Sequence, residues 1–235
     1  MNRVKKHYID GGAGQIHFRS IGDDKPGLPL LCLHQSPKSS LEFEYFMEIA
    51  GRKRRVIALD YPGCGMSDCP LSEDMVTIEY YADRAIDVLN ALGVSQADLF
   101  GNHTGSMVAL CLADRFPERA NKLALISAPA LTEAERAEFE GYFKPIPLDR
   151  QGTRFSTSWE RVVHHAGPGM TLELMARSYM QTVQAGDAYE WGHAAAFKWG
   201  VQLGEVLARL PHEILVINPA DDLEVHTART ESLIR

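Results

Sequence analysis

Five consecutive residues, Gly101-Asn102-His103-Thr104-Gly105, set a titratable ring into a backbone turn that could do chemistry. They stand between an apolar run of strand length (97–100) and a helical pattern (106–116), so the chain must turn sharply from strand into helix. Two glycines at this spacing relieve crowding, which lets the middle side chain, His103, stand exposed above a sheet with backbone N–H groups beside it. Such an imidazole can act as a nucleophile, forming an acyl-imidazole that hydrolyses readily. With an ordinary pKa of about 6.5 it can also abstract a proton beside a carbonyl, giving hydrolase, lyase or isomerase chemistry. A pocket that binds a ligand without turning it over is the remaining reading.

The elements that must position this turn alternate between strand and helix. HYID and QIHFRSIG, on either side of GGAG (11–14), read as an antiparallel pair. LPLLCLH (28–34), RRVIALD (54–60), ADLFGN (97–102), KLALISA (122–128) and EILVINPA (213–220) are the near-continuous apolar runs expected of strands covered on both faces. Between them, 39–50, 77–92 and 104–116 space their apolar residues as helices do; Ile78, Tyr81, Ala85, Val88 and Leu92 share one stripe, ended by Gly93. The alternation predicts a mostly parallel sheet with helices on both faces and a ligand crevice at the carboxyl ends of its strands. From 129 to about 200 the pattern becomes two or three amphipathic helices broken by KPIPLDRQG and HHAGPG, and this stretch carries all three tryptophans, Trp159, Trp191 and Trp199. The chain thus divides into a first core part (1–129), a helical insertion (130–200) and a second core part (201–235). An insertion there reads as a lid over the crevice; helices that pack without gating are the alternative.

The glycine-bracketed turn resembles the nucleophile elbow of α/β-hydrolases of the epoxide-hydrolase, dehalogenase and carbon–carbon hydrolase type, with His103 where those enzymes usually carry serine. H-Q-S-P at 34–37 is similar to that family's His-Gly-x-Pro loop, and D-Y-P-G-C-G-M-S-D at 60–68 to its Asp-x-x-Gly-x-Gly-x-Ser turn. The resemblance covers the chain from about residue 8 and implies an α/β-hydrolase fold. It also implies an oxyanion hole from the N–H groups of Gln35 and Thr104. The acid of the family follows a late strand, which places Asp221 of NPADD (218–222) in that role with Asn218 replacing the usual glycine. Asp222 is one residue of register away, and either carboxylate could instead cap the helix that begins near Val225. The general-base histidine of the family lies beyond one further strand and has no counterpart before Arg235, so a final strand, helix and base are expected to be missing. His226, five residues past Asp221, reads as a surface residue.

Other side chains carry weaker signals. His34, Ser36 and the aromatic Trp159 are expected to line the crevice beside Gln35, His103 and Thr104, an aromatic lining favouring an apolar or aromatic substrate. His164, His165 and His193 have no adjacent carboxylate or thiol pattern of a metal site, so neither metal nor cofactor is expected. Composition narrows the partners. The 24 Lys plus Arg against 31 Asp plus Glu leave a net charge of −7 with no basic run, which argues against nucleic acid or a charged membrane surface. No apolar stretch is long enough to span a bilayer, and the start has no apolar core of a secretion signal. Cys32, Cys64, Cys69 and Cys111 are scattered without paired spacing, as free thiols in a reducing, cytoplasmic setting would be. A small-molecule substrate is the expected partner, with pairing of two copies across an uncovered sheet edge as a further expectation.

Overall fold

The computed structural model describes residues 3–12 and 14–234, so Ala13 of the expected GGAG turn lies outside the described residues. Seven strands form one sheet: β1 (Lys5–Gly11), β2 (Gly14–Ile21), β3 (Leu30–Leu33), β4 (Val56–Leu59), β5 (Ala97–Asn102), β6 (Ala120–Ile126) and β7 (Glu213–Ile217). Their order is β1-β2-β4-β3-β5-β6-β7, and β2 alone runs against the others. The expected antiparallel opening and the five parallel apolar strands are therefore all present. Helices α1 (Glu44–Ala50), α2 (Ile78–Ala91) and α3 (Thr104–Arg115) fall where the spacing places them, although the first turn of the 39–50 segment is a 3-10 turn, Ser40–Phe43.

Strand alternation sorts side chains onto two cores. On β3 and β4, Leu31, Leu33, Ile57 and Leu59 face the larger core with α2 and α3, while Cys32, Val56 and Ala58 face a smaller one closed by Phe43 and Met47. Period-two alternation of apolar residues on both faces is what a sheet sandwiched by helices requires. Among the described residues one part of this sheet lacks such cover: on β7, Leu215 and Ile217 stand 59% and 41% exposed while Ile214 and Val216 pack on the larger core.

Between β6 and β7 the chain forms α4 (Glu133–Tyr142), α5 (Thr153–His164), α6 (Leu172–Gln184), α7 (Trp191–Gly200) and α8 (Leu203–Arg209); α9 (Glu224–Ala228) follows β7. KPIPLDRQG and HHAGPG do separate α4 from α5 and α5 from α6, but more helices form here than the spacing indicated. The missed break is a 3-10 turn, Gly186–Glu190, which keeps helical spacing and leaves no Pro or Gly cluster to mark it. The last two helices belong to the core in packing terms: Trp199, Leu203 and Val206 are buried in the larger cluster, and α7 and α8 lie on α3. All four cysteines are free, three of them buried. Among the described residues no helix is long and apolar enough to cross a membrane.

Candidate active site

The sheet delivers its chemistry at the carboxyl ends of β3, β5, β6 and β7. At the end of β5, His103 adopts φ 49 and ψ −113, and α3 begins at the next residue. Positive φ is rare for a side chain of this size, and it persists where the surroundings over-determine it. Here His103 N–H donates to Ile126 O (2.9 Å), and its own carbonyl accepts from Ser106 N–H (2.9 Å). The flanking glycines are compulsory. A Cβ on Gly105 would stand 1.8 Å from Leu33 O, and one on Gly101 would stand 2.4 Å from Gly105 O.

His103 is aimed at the loop after β7. Its Nε2 lies 3.1 Å from Asp221 Oδ2, and both side chains are about a quarter exposed. Asp221 also accepts from the hydroxyl of Ser127 on Oδ2 and from Leu223 N–H on Oδ1 (2.9 Å). Burial works to raise the pKa of Asp221, but these hydrogen bonds, led by that of His103, prevail and hold it below the ordinary value. The carboxylate is thus charged at neutral pH and accepts a hydrogen bond from Nε2–H, leaving Nδ1 of His103 with the lone pair and no partner among the described residues. Register is resolved by this contact: Asp221, not Asp222, meets the imidazole. Ser127 follows β6 at φ 53, fully buried, and nothing in its local sequence marked it. Its N–H donates to Ile217 O (3.1 Å), so its place is set by the meeting of β6 with β7.

The loop after β3 departs from expectation in two places. His34 is fully buried and does not reach the cavity. Its Nε2 accepts from Tyr61 N–H (3.0 Å), so Nδ1 carries the proton and donates to Gln35 O (2.7 Å). Burial lowers its pKa to about 4, against the partial opposition of Asp60 and the Gln35 carbonyl, and the ring serves as a neutral brace between two loops. Gln35 N–H, expected to face a reacting oxygen, is turned onto Glu42 Oε1 (3.4 Å), because the 3-10 turn after this loop folds Glu42 beneath it. Asn102 Nδ2 donates to the same oxygen (3.3 Å), while Glu42 Oε2 is buried without a partner. Burial pushes the Glu42 carboxyl up to about 7. Ser36 does reach the site: it lines the cavity, and its N–H donates to Thr104 Oγ1 (3.3 Å). Thr104 is the first residue of α3, so its N–H is one of those a helix leaves unpaired at its start.

These groups open onto a cavity of about 370 Å³ between the sheet and the helical insertion, a size that suits a small molecule. Its aromatic wall is Phe139, Phe143, Tyr189 and Phe197. Trp159 does not contribute; it lies edge-on to Tyr179 on the outer side of α5 and α6, and the other two tryptophans pack into or against the larger core. Helical spacing could not decide which face of α5 turns inward; Ser158 and Val162 do. The polar wall is Lys38, Arg161, Glu190 and His193, with Glu190 accepting from Arg161 (2.9 Å) and contacting His193 Nδ1. His226 does not line the cavity; its Nδ1 lies 3.3 Å from Glu135 on α4 and its ring packs edge-on against Phe139. The metal-ligating side chains that come together among the described residues are His103, Asp221 and Asp222, within 4.8 Å of one another. Two of the three, His103 and Asp221, are hydrogen-bonded to each other.

The alpha/beta hydrolase fold family profile matches residues 29–194. The chain belongs to that family. It is 30% identical over 218 residues to the 2-hydroxymuconate semialdehyde hydrolase of Pseudomonas sp. (strain CF600), covering 86% of this chain and 73% of that enzyme. It is 32% identical over 156 residues to a proline iminopeptidase of Lactobacillus delbrueckii subsp. bulgaricus, covering 64% of this chain and 53% of that one. Among solved structures, a hydrolase from Pseudomonas aeruginosa PA01 superposes with a TM-score of 0.76 at 20% identity, over 98% of this chain and 87% of that one, a likeness of fold.

Proposed function

We propose that this α/β-hydrolase-family chain is a cofactor-independent enzyme acting on a small ester or carbonyl compound, with His103 as general base and Asp221 as its orienting acid. The observation that carries the reading is the 3.1 Å contact between His103 Nε2 and Asp221 Oδ2 at a strained elbow that opens onto the cavity. Nδ1 adjoins the ring carbon bearing the side chain, which hinders attack on carbon more than removal of a proton. The base role is accordingly favoured over the nucleophile. In hydrolysis, Nδ1 takes a proton from water as the water oxygen bonds to the carbonyl carbon, Asp221 stabilises the imidazolium, and the same proton passes to the leaving alkoxide. Thr104 N–H, at the positive end of α3, is the donor for the developing oxyanion. Helices α4 to α6 serve as a lid that excludes bulk water. The relatives support hydrolytic chemistry on small molecules, since those compared are named as a semialdehyde hydrolase and a peptidase.

The test is hydrolysis of activated aryl esters by wild type, His103→Ala and Asp221→Asn. Loss of the base is expected to lower kcat by about 10²–10⁴-fold, and Asp221→Asn by a large part of that. Equal rates in wild type and His103→Ala would overturn the reading. One observation favours ligand binding without turnover: Gln35 N–H is engaged by Glu42, so the expected pair of oxyanion donors is not free. That reading gains if cavity ligands raise the Tm of wild type while no ester or carbonyl substrate is consumed.

A further inference from the structure

The charges in the cavity wall pair off, save the exposed Asp222 and one cation. Asp221 faces His103, and Glu190 takes both Arg161 and His193. Lys38 is left. Its Nζ donates to Ser178 O (3.1 Å) and Thr182 Oγ1 (2.9 Å), both neutral, and no carboxylate of the described residues pairs with it. An ammonium has three donors, so one remains for the cavity that Lys38 lines. Burial lowers its pKa to about 8, with Glu42 and Glu190 opposing from a distance, and the group stays mostly cationic at neutral pH.

A partly buried cation without a direct counter-ion is costly, which calls for an account of why it is there. Fastening α6 to the loop is not a sufficient one. Ser39 already donates both its N–H and its hydroxyl to Gln181 Oε1 (3.1 and 2.8 Å), and Arg177 holds Leu41 O and the Glu44 carboxylate. Position supplies a better one. Lys38 N–H donates to Gln35 O (2.9 Å), closing a turn that brings the lysine to the same loop as Ser36, whose N–H meets Thr104 at the elbow. Two residues of chain span at most about 7 Å, so the cation is rooted beside the place where a reacting carbonyl would sit.

We propose that Lys38 is a specificity-determining anchor for a carboxylate on the substrate, so that the cavity takes short ester or carbonyl compounds carrying a carboxylate a few bonds from the reacting carbonyl. This rests on the reading of His103 as the reacting group, and the carboxylate supplies the direct counter-ion that Lys38 lacks.

Two measurements test the anchor and separate its failure from that of His103. The first compares 4-nitrophenyl hemiglutarate with 4-nitrophenyl valerate, matched in chain length and differing in the terminal carboxylate. The hemiester is expected to be preferred at least tenfold in kcat/KM by wild type, the ratio falling to about one in Lys38→Met and recovering in part in Lys38→Arg. The second uses His103→Ala protein and follows Tm with added glutarate: a rise is expected that Lys38→Met abolishes and Lys38→Arg retains. Turnover of both esters at equal kcat/KM by wild type, or a hemiester preference that survives in Lys38→Met, overturns the anchor while leaving His103 in place. A glutarate-induced Tm rise that depends on Lys38 in a protein that consumes neither ester supports the anchor and removes the His103 reading. No glutarate response in otherwise folded His103→Ala protein overturns the anchor.

Discussion

In the proposed mechanism one imidazole at this elbow both meets the acid and acts on the substrate. A serine hydroxyl is too short to reach an acid on the neighbouring strand's loop, whereas the His103 ring extends to Asp221 itself. The carboxylate is in turn held by Ser127, whose hydroxyl is available only because that residue stands at φ 53. Ser127→Gly keeps the backbone free to adopt positive φ and removes only the hydroxyl. Asp221 then loses one of the bonds that hold its pKa down, so the acid limb of the pH–rate profile is expected to move to higher pH, with a drop in kcat of about tenfold. An unchanged acid limb would show that Ser127 is packing alone.

At the scale of elements, the elbow works because α3 crowds against β3. Gly105 lets the helix start against the Leu33 carbonyl, and no side chain fits there. Gly105→Ala is expected to cost more than about 4 kcal/mol, through backbone displacement that no rotamer change relieves. Gly141, near the end of α4 with open space around it, is the comparison: Gly141→Ala is expected to raise stability by up to about 1 kcal/mol. Thermal unfolding of the two variants checks both signs, and similar melting temperatures would contradict the packing argument. The same crowding fixes where α3 points its first N–H groups, and so ties the stability of the fold to the geometry of the site.

At the scale of the whole molecule, two buried groups on the loop after β3 set the response to pH. His34 is pushed down from 6.5 to about 4, so its stabilising contribution is complete above pH 6.5 and is lost as pH falls through 4. Glu42 is pushed up from 4.5 to about 7, so its contribution is complete below pH 4.5 and is lost as pH rises through 7. Each shift is worth a few kcal/mol, and between pH 4.5 and 6.5 the slopes oppose. Asp60 and Asp221, both held below their usual values, act only at lower pH: desolvation opposes the lowering, His17 and His103 leading the bonds that produce it. Wild type is therefore expected to show a nearly level Tm across that window. Glu42→Gln, which keeps an acceptor for Gln35 and Asn102 but cannot ionise, is expected to reveal the His34 slope as a Tm rising by about 5–10 °C from pH 4.5 to 6.5. Parallel curves for the two proteins would contradict the assignment.

The sequence by itself determined the elements and the turns, because both are local. Continuous apolar runs placed the five parallel strands, Gly-x-x-x-Gly around His103 placed the elbow, and the Asp60 turn and the 34–37 loop completed a recognisable order. The family resemblance also placed Asp221 within one residue. What only the tertiary structure decided is which way side chains and N–H groups face once distant loops converge. It turned His34 and Trp159 away from the cavity, tied the Gln35 N–H to Glu42, and chose Asp221 over Asp222. It also brought in Ser127, Lys38, Glu42 and Glu190, which share no local pattern with one another or with His103. The reason is physical. Periodicity and turn chemistry act over a few residues, whereas the desolvation, ion pairing and close contact that define this site join the ends of β3, β5, β6 and β7 with helices inserted between them.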